Sequence, residues 1–373
     1  MNQTGRRRRG AFRSFLFGGV IGGALAVAAP RVRRRGREAP GPIAGLEAFE
    51  GAPCWEHDRR RQTGEPGKVQ RVLVTGGAGF IGSTLVRLLL DRGTDVRVFD
   101  DLSTGTREHL EGLEVELVLG DVRDEGGLTA APAGCDAVFH LAAGAGVIDS
   151  IERPLENFDL NARGTLIALC AARAAGVPRL VFSSSNAPLG DNAYPAREDA
   201  PVAPLSPYGA GKATGEAYCA AFHGAYGMDA VAVRFSNAYG PRSSRKTNVI
   251  PAFIRRIREG SPLTVFGDGS QTRDFVFVTD LAGGLLRAAE TPDVGGQVFQ
   301  LASGVETSLN ELVALLGEVS GRTPELHHEP PRAGEIQRNY SLIDKARREL
   351  GYEPAVALRE GLEATWRWFD EQG

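Results

Sequence analysis

The sequence predicts an α/β chain organised around a doubly wound parallel sheet, on three observations. A short β-branched apolar run, Val69 to Thr75, opens directly into a glycine-rich turn and then a helical pattern. Further short apolar runs alternate with helical or turn segments as far as the serine cluster at Ser183. Glycine supplies 48 of 373 residues with no three-residue period, which fits many tight turns and excludes a collagen-like chain.

Composition narrows the class. Apolar residues make up 42% and charged residues 24%, so wholesale disorder is excluded. Net charge is −3 but unevenly spread: residues 1–68 hold 14 Lys+Arg against 6 Asp+Glu, and the remainder 29 against 40. An acidic main body argues against nucleic acid as partner. Cys54, Cys135, Cys170 and Cys219 are scattered with no C-x-x-C pair, which fits reduced thiols in a cytoplasmic protein better than a disulfide frame or a zinc site.

Residues 1–68 read as a non-globular N-terminal extension and linker. An apolar stretch from Ser14 to Ala29, within residues 11–30, lies between two arginine clusters. As a helix it is about 24 Å long, short of the ~30 Å hydrocarbon core. Gly18/Gly22 and Gly19/Gly23 form two G-x-x-x-G spacings. Three readings stay open: a membrane anchor or interfacial helix tethering the chain at the cytoplasmic face, a cleaved signal peptide, or a disordered basic tail. Gly36 to Lys68 is Pro/Gly/Arg/Glu-rich and reads as a linker.

The first strand runs into Gly76-Gly77-Ala78-Gly79-Phe80-Ile81-Gly82 and a helix from Ser83 to Arg92. Gly76 permits the tight turn, Gly79 lets backbone approach a pyrophosphate, and Gly82 lets the helix pack closely. First-turn N–H groups, with those of Phe80 and Ile81 among them, then face the phosphates. A second strand, Val96–Phe99, ends in Asp100, 24 residues after Gly76, where a carboxylate binds ribose hydroxyls and repels a 2′-phosphate. NAD is therefore expected over NADP. Further strands are expected at Val115–Leu119, Ala137–Leu141 and Leu180–Ser183, separated by helical or turn segments such as Asn157–Gly176. Asp121-Val122 and Leu141-Ala142 fall at carboxyl ends of strands, where ligands gather in this architecture. His140 reads as a packing residue rather than a general base.

After Ser183-Ser184-Ser185 comes Tyr208-Gly209-Ala210-Gly211-Lys212, opening a helix behind Ser206-Pro207. Tyr208 and Lys212, at i and i+4, share one helical face. A lysine ammonium beside a phenol is expected to lower the tyrosine pKa, making it a base toward a substrate hydroxyl. By itself this spacing is a chance-level pattern. Behind a dinucleotide cradle and a serine cluster it is specific.

From Gln70 to Phe369 the chain resembles the extended short-chain dehydrogenase/reductase family, in particular its NAD-dependent sugar-nucleotide epimerases and dehydratases. The matching residues are Thr75 to Gly82, Asp100-Asp101-Leu102-Ser103, Gly120-Asp121-Val122, His140 to Ala143, Asn161, Tyr208/Lys212, Arg234 to Pro241, Gly267 to Phe275 and Arg332-Ala333-Gly334-Glu335. The resemblance implies a Rossmann domain, mainly residues 69–235, and a smaller C-terminal α/β substrate domain, mainly residues 236–373, with some elements returning to the first sheet. It implies Tyr208 as base, Lys212 on the nicotinamide ribose, Ser185 at the C4 hydroxyl, and Asn161 and Ser183 lining the NAD pocket. Asn237, Asn248, Arg273 and Arg332 match positions that hold the nucleotide diphosphate; Phe266 matches an aromatic on the base and Glu335 a ribose contact. It also implies a homodimer and no metal.

The departures matter. Glu335 stands where the family has Asp, and Asp101 where it has Asn. Asn186-Ala187-Pro188-Leu189-Gly190 replaces a small residue and Val-Tyr-Gly. Dehydratases of the family place an Asp-Glu pair after the serines, and neither Asn186 nor Ala187 can act as acid or base. The expected reaction is thus C4 epimerisation of a UDP-hexose or UDP-N-acetylhexosamine, ahead of a dehydratase or reductase of the same fold and of a non-catalytic NAD-binding scaffold tethered at a membrane. Asn339 replaces a bulky aromatic of some hexose epimerases and leaves room for an N-acetyl group. A uronic acid, met by Arg338 and Arg242, stays as a further reading. Leu309–Val319 and Leu358–Phe369 read as amphipathic helices, with Trp366 and Trp368 as packing residues. His327 and His328 are placed in a Pro-rich loop.

Overall fold

Alternation along the first strand sets up two cores. The computed structural model of the chain describes residues 68–191, 194–331 and 337–372. Strands β1 (Arg71–Thr75), β2 (Asp95–Asp100), β3 (Glu116–Leu119), β4 (Ala137–His140), β5 (Arg179–Ser185) and β6 (Asp229–Phe235) are followed by β7 (Asn237–Tyr239), β8 (Leu263–Phe266), β9 (Thr272–Arg273), β10 (Phe275–Phe277), β11 (Val298–Leu301), β12 (Thr307–Ser308), β13 (Leu326–Glu329) and β14 (Arg338–Asn339). Seven of them form one parallel sheet, in the order β11-β6-β5-β4-β1-β2-β3. On β1, Val72 and Val74 face Leu85, Leu89, Leu281 and Leu285, while Leu73 faces the opposite side with Leu169, Leu180 and Phe182. Helices thus cover both faces, and the doubly wound parallel sheet expected from the sequence is present. The strand order turns back between β1 and β4, and the carboxyl ends of these strands open the crevice where ligands bind in such sheets.

A third cluster packs Tyr239, Ile250, Ile254, Leu312, Leu316 and Leu362 around β8 and the helices Val249–Glu259, Leu309–Ser320 and Leu358–Glu371. Trp366 and Trp368 lie against it. The Leu309–Ser320 helix opens with a capping box: Ser308 Oγ accepts from Glu311 N at 3.2 Å and Glu311 Oε2 accepts from Ser308 N at 2.7 Å.

One local expectation is refined and one corrected. The stretch read as helical or turn over Asn157–Gly176 is Pro154–Phe158, a π-turn at Asp159–Arg163 and a helix at Gly164–Ala174. The extra residue of a π-turn leaves no mark in apolar periodicity. His327 and His328 lie not in a loop but on β13, which pairs in parallel with β8. All four β13 residues are exposed, so the strand carries no alternation to read. The apolar N-terminal stretch at residues 11–30 lies outside the described residues. Among those described, no helix is long and apolar enough to cross a membrane.

Candidate active site

The cradle is built by backbone. Gly76, at φ +70°, donates its N–H to Phe99 O at 2.9 Å, and Gly79 N closes the turn on Gly76 O at 3.1 Å. A methyl at Gly82 would sit 2.1 Å from Gly76 O, so only hydrogen fits where the helix meets the turn. At Gly79 it would meet only Gly76 O, at 3.1 Å. Gly79 caps the Phe80–Asp91 helix without a side-chain hydrogen bond. Its positive end therefore faces the crevice bare, which fits a pyrophosphate. Phe80 is buried and Ile81 half-buried in the first turn. Leu141 and Ala142 press on Gly76 from the end of β4, where a methyl at Gly76 would come within 2.7 Å of Ala142 N.

Asp100 closes β2 with both carboxylate oxygens on backbone: Oδ2 accepts from Ala78 N at 2.9 Å and Oδ1 from Leu102 N at 2.8 Å. Burial nevertheless pushes its pKa up. Each oxygen keeps a second lone pair, enough for a ribose diol. Asp121 is differently placed. The Arg123 guanidinium engages both of its oxygens and holds its carboxyl below the usual range, so it stands in the crevice as half of an ion pair. Val122 is buried under Gly164.

Behind the cradle runs a hydrogen-bonded relay. Thr165 Oγ1 donates to Asn161 O at 2.7 Å, so it accepts from His140 Nε2 at 3.2 Å. His140 Nδ1 is then the acceptor, and Thr75 Oγ1 donates to it at 2.8 Å. Both ring nitrogens are spent inside the core, and burial together with the Lys212 charge pushes the imidazole down to about 3. His140 is structural, as the sequence suggested. Its folded pKa lies below the unfolded ~6.5, so the unfolded chain takes up a proton first and stability falls as pH drops from 6.5 toward 3. Unfolding free energies from urea titrations are expected to fall by about 2 kcal/mol between pH 7 and pH 5 from this group, the slope approaching about 1.4 kcal/mol per pH unit only below pH ~5.5. The slope should flatten in His140→Asn, and equal slopes for both chains would refute the assignment.

The relay ends at the π-turn, which brings Asn161 against Gly211 of the helix Pro207–Tyr226, where a methyl would stand 3.0 Å from Asn161 Cβ. Asn161 Nδ2 and Asn157 Nδ2 both donate to Gly144 O, at 3.0 and 3.2 Å. Their Oδ1 atoms are buried with no partner among the described residues. Two orphaned acceptors beside the cradle fit a ligand with N–H or O–H donors, and NAD carries both.

The helix Pro207–Tyr226 presents the chemistry. Ser206 caps it, its Oγ accepting from Gly209 N at 3.1 Å, and Pro207 takes N1. A methyl at Gly215 would lie 2.4 Å from the Phe182 ring, so this helix sits unusually close to β5. Lys212 is 2% exposed; its Nζ donates to Ser183 O at 2.7 Å and lies 4.8 Å from the Phe182 ring centre and 5.9 Å from that of Tyr208. Ser185 Oγ accepts from Ala187 N at 3.0 Å. Burial brings the Lys212 ammonium down to about 7 against an upward pull from Glu216. One expectation is corrected. Tyr208 is expected from the sequence below its ordinary pKa, yet burial pushes it up, with hydrogen bonding from Ser185 opposing.

Of the residues matched to the nucleotide, Asn237 Nδ2 donates to Asp274 O at 3.2 Å and Asn248 Nδ2 to Ala238 O at 3.1 Å. Arg273 on β9 and Asn339 on β14 stand in register, and Asn339 Oδ1 is buried with no partner among the described residues. Phe266 ends β8, half-buried. Arg332 and Glu335 lie outside the described residues. The pair suggested for a uronate is engaged elsewhere: Arg338 forks onto Glu306 with both contacts at 2.7 Å, and Arg242 NH2 donates to Thr84 Oγ1 at 3.0 Å.

Sequence reasoning missed Asp274. Its carboxylate is fully buried and accepts from Ser303 N, Ser303 Oγ, Gly304 N and Ser341 N at 2.7–3.3 Å. Ser341 Oγ in turn accepts from Asn186 Nδ2 at 2.9 Å. It also missed Glu216, four residues beyond Lys212, a spacing that puts it on the Tyr208 face.

Residues 72–302 match the model of the NAD dependent epimerase/dehydratase family. The chain belongs to this family. The UDP-glucose 4-epimerase of Mycolicibacterium smegmatis is 40% identical over 309 residues, covering 80% of this chain and 98% of that protein. Among solved structures, a Thermotoga maritima UDP-glucose 4-epimerase with UDP-glucose is 35% identical with a TM-score of 0.78, covering 81% of this chain and 99% of that one. A UDP-N-acetylglucosamine 4-epimerase from Methanobrevibacter ruminantium is 33% identical, also at 0.78, covering 82% and 100%. Membership in the NAD dependent epimerase/dehydratase family accords with the bare helix end, the orphaned asparagine oxygens and Asp100.

Proposed function

We infer that the chain is an NAD-dependent nucleotide-sugar 4-epimerase, inverting C4 of a UDP-hexose or UDP-N-acetylhexosamine through a transient 4-keto sugar. The observation that carries this is the convergence of Ser185, at the carboxyl end of β5, with Tyr208 and buried Lys212 on the helix packed against that strand. The named activities of the relatives support it. Asn186 and Ala187 support epimerisation over dehydration, since the Asn186 amide is committed to Ser341 and neither residue can move a proton.

Gly76 to Gly82, Asp100, Asn161 and Lys212 would hold the dinucleotide. NAD, when bound, supplies hydride acceptance and return at C4 and a positive charge beside the phenol. Tyr208 takes the proton of the 4-hydroxyl and gives it back after the sugar has turned over. Ser185 hydrogen-bonds the same oxygen. Lys212 holds a ribose and favours the phenolate, offsetting the burial that otherwise keeps Tyr208 protonated. Asn237, Asn248, Phe266 and Arg273 hold the nucleotide end, so the sugar pivots on a fixed tether. Residues 69–235 mainly serve the cofactor and 236–373 the sugar nucleotide. Ile148, Ile151, Leu155 and Phe158, all exposed by more than half, are the face through which two copies pair. The catalytic part works in the cytoplasm.

The test is incubation with a panel of UDP-sugars, resolving C4 epimers by chromatography. Interconversion with no net change at 340 nm is expected, and net reduction of added NAD would overturn the reading. The orphaned oxygen of Asn339 suits the amide N–H of an N-acetyl group. Asn339→Tyr is expected to cut N-acetylhexosamine turnover about tenfold or more while sparing the plain hexose, a selective loss of about 1.4 kcal/mol. Equal losses on both sugars would remove Asn339 from the sugar pocket.

A further inference from the structure

Three successive serines at the end of β5 meet the next helix in three different ways. Ser183 accepts from Lys212 through its carbonyl, and Ser185 opposes Tyr208 through its hydroxyl. Between them, Ser184 Oγ donates to Glu216 Oε1 at 2.5 Å. Tyr208, Lys212 and Glu216 lie at i, i+4 and i+8 on one helical face. Glu216 is 7% exposed and forks onto Arg234, 2% exposed, with Nε to Oε1 and NH2 to Oε2 both at 2.8 Å. Arg234 stands on β6 directly beside Ser184 on β5, so one strand pair presents the hydroxyl and the guanidinium to one carboxylate.

A buried ion pair has a high desolvation cost and is weak as a stabiliser, which leaves its presence here in need of another account. Position supplies it, given the assignment of Lys212 as a catalytic residue on which this inference rests. We propose that Glu216 is a positioning residue of the reaction, held in place by Ser184 and Arg234 so that its carboxylate keeps the Lys212 side chain charged and aimed at its station under Tyr208.

The surroundings of Lys212 make such a counter-charge necessary. On its own helix it faces Tyr208, whose pKa burial pushes up, and Glu216. From β4 comes His140, also neutral, and from β5 only the Phe182 ring and the Ser183 carbonyl. From the loop after β7 comes Lys246, a second cation whose charge pushes Lys212 toward deprotonation. Glu216 thus supplies the negative charge that pulls Lys212 toward its charged form, beside the uncharged Ser183 carbonyl that accepts from it. Arg234 holds the carboxylate from its far side.

Two readouts test this, one independent of turnover. The pH dependence of Lys212 acetylation by acetic anhydride, read by peptide mass spectrometry, gives the midpoint at which the free amine appears. The pH profile of kcat gives the alkaline limb for whichever nucleotide sugar the unaltered chain converts. In Glu216→Gln both are expected to move down by about 1 pH unit or more, the loss of turnover growing with pH. Glu216→Asp should recover most of the shift, and Ser184→Ala should move both in the same direction by less. Ser184→Ala and Glu216→Asp leave the Arg234 charge paired, so they serve if Glu216→Gln does not fold. Unmoved midpoints, or a loss of kcat equal at every pH, would overturn the proposal and leave Glu216 a purely structural partner. If no nucleotide sugar is converted at all, the epimerase reading falls, while the acetylation midpoints still decide the role of Glu216.

Discussion

Tyr208→Phe is expected to lower kcat by about 10³-fold, within the range ascribed to a positioned acid–base group, with the fold and dinucleotide retention unchanged. The substitution removes one oxygen and nothing else. The ring stays half-buried on a helix held by the close seating of Gly211 and Gly215 and by the Lys212–Ser183 bond. Ser185 keeps its hydrogen bond from Ala187 N. What disappears is the atom that exchanges a proton with the sugar. Single-turnover assays with matched circular dichroism would check this, and a kcat within tenfold of the unaltered chain would dismiss Tyr208 as the base.

Gly82→Ala is expected to damage fold and cofactor binding together. Its new methyl meets Gly76 O at 2.1 Å and Gly77 Cα at 2.8 Å, both backbone, so no side chain can swing aside. The turn must open, at a cost of about 3 kcal/mol, the upper end of ordinary overpacking. Opening it moves the first-turn N–H groups away from the phosphates. Gly79→Ala supplies the contrast, because its methyl meets only Gly76 O at 3.1 Å and otherwise open space, where on the proposed reading the pyrophosphate comes. That variant is expected to keep its thermal midpoint within a few degrees yet lose bound dinucleotide on desalting. Thermal melts with the ratio of absorbance at 260 and 280 nm read both. A Gly82→Ala chain with unchanged melting and full dinucleotide would refute the tight-turn account.

What was legible in the sequence was whatever repeats or sits next to its partner. The β1–glycine–helix unit announces itself because a continuous apolar run gives way to a 3.6-residue period across a fixed glycine spacing. Tyr208 and Lys212 are four residues apart on one helix. The hidden parts depend on meetings between distant segments. Glu216 and Arg234 are joined only because β5 and β6 lie side by side, and Asp274 gathers Ser303, Gly304 and Ser341 from separate loops. The π-turn that sets Asn161 against Gly211 is one residue of slack, invisible to pattern. The expected direction of the Tyr208 shift went astray for the same reason, since spacing reveals a nearby ammonium but not how much protein covers the phenol.

The Asp274 carboxylate couples what would otherwise be two independent walls. Ser341 lies two residues beyond Asn339 and also receives the Asn186 amide just past Ser185. A swing of the strand carrying Asn339 would therefore drag on the segment behind Ser185, or else strip a buried anion of its donors. On the proposed reading, in which the sugar turns over between Asn339 and Ser185, the two walls are thus joined by a tie-bar rather than by a hinge, and selectivity should come from side-chain size and not from closure around the substrate.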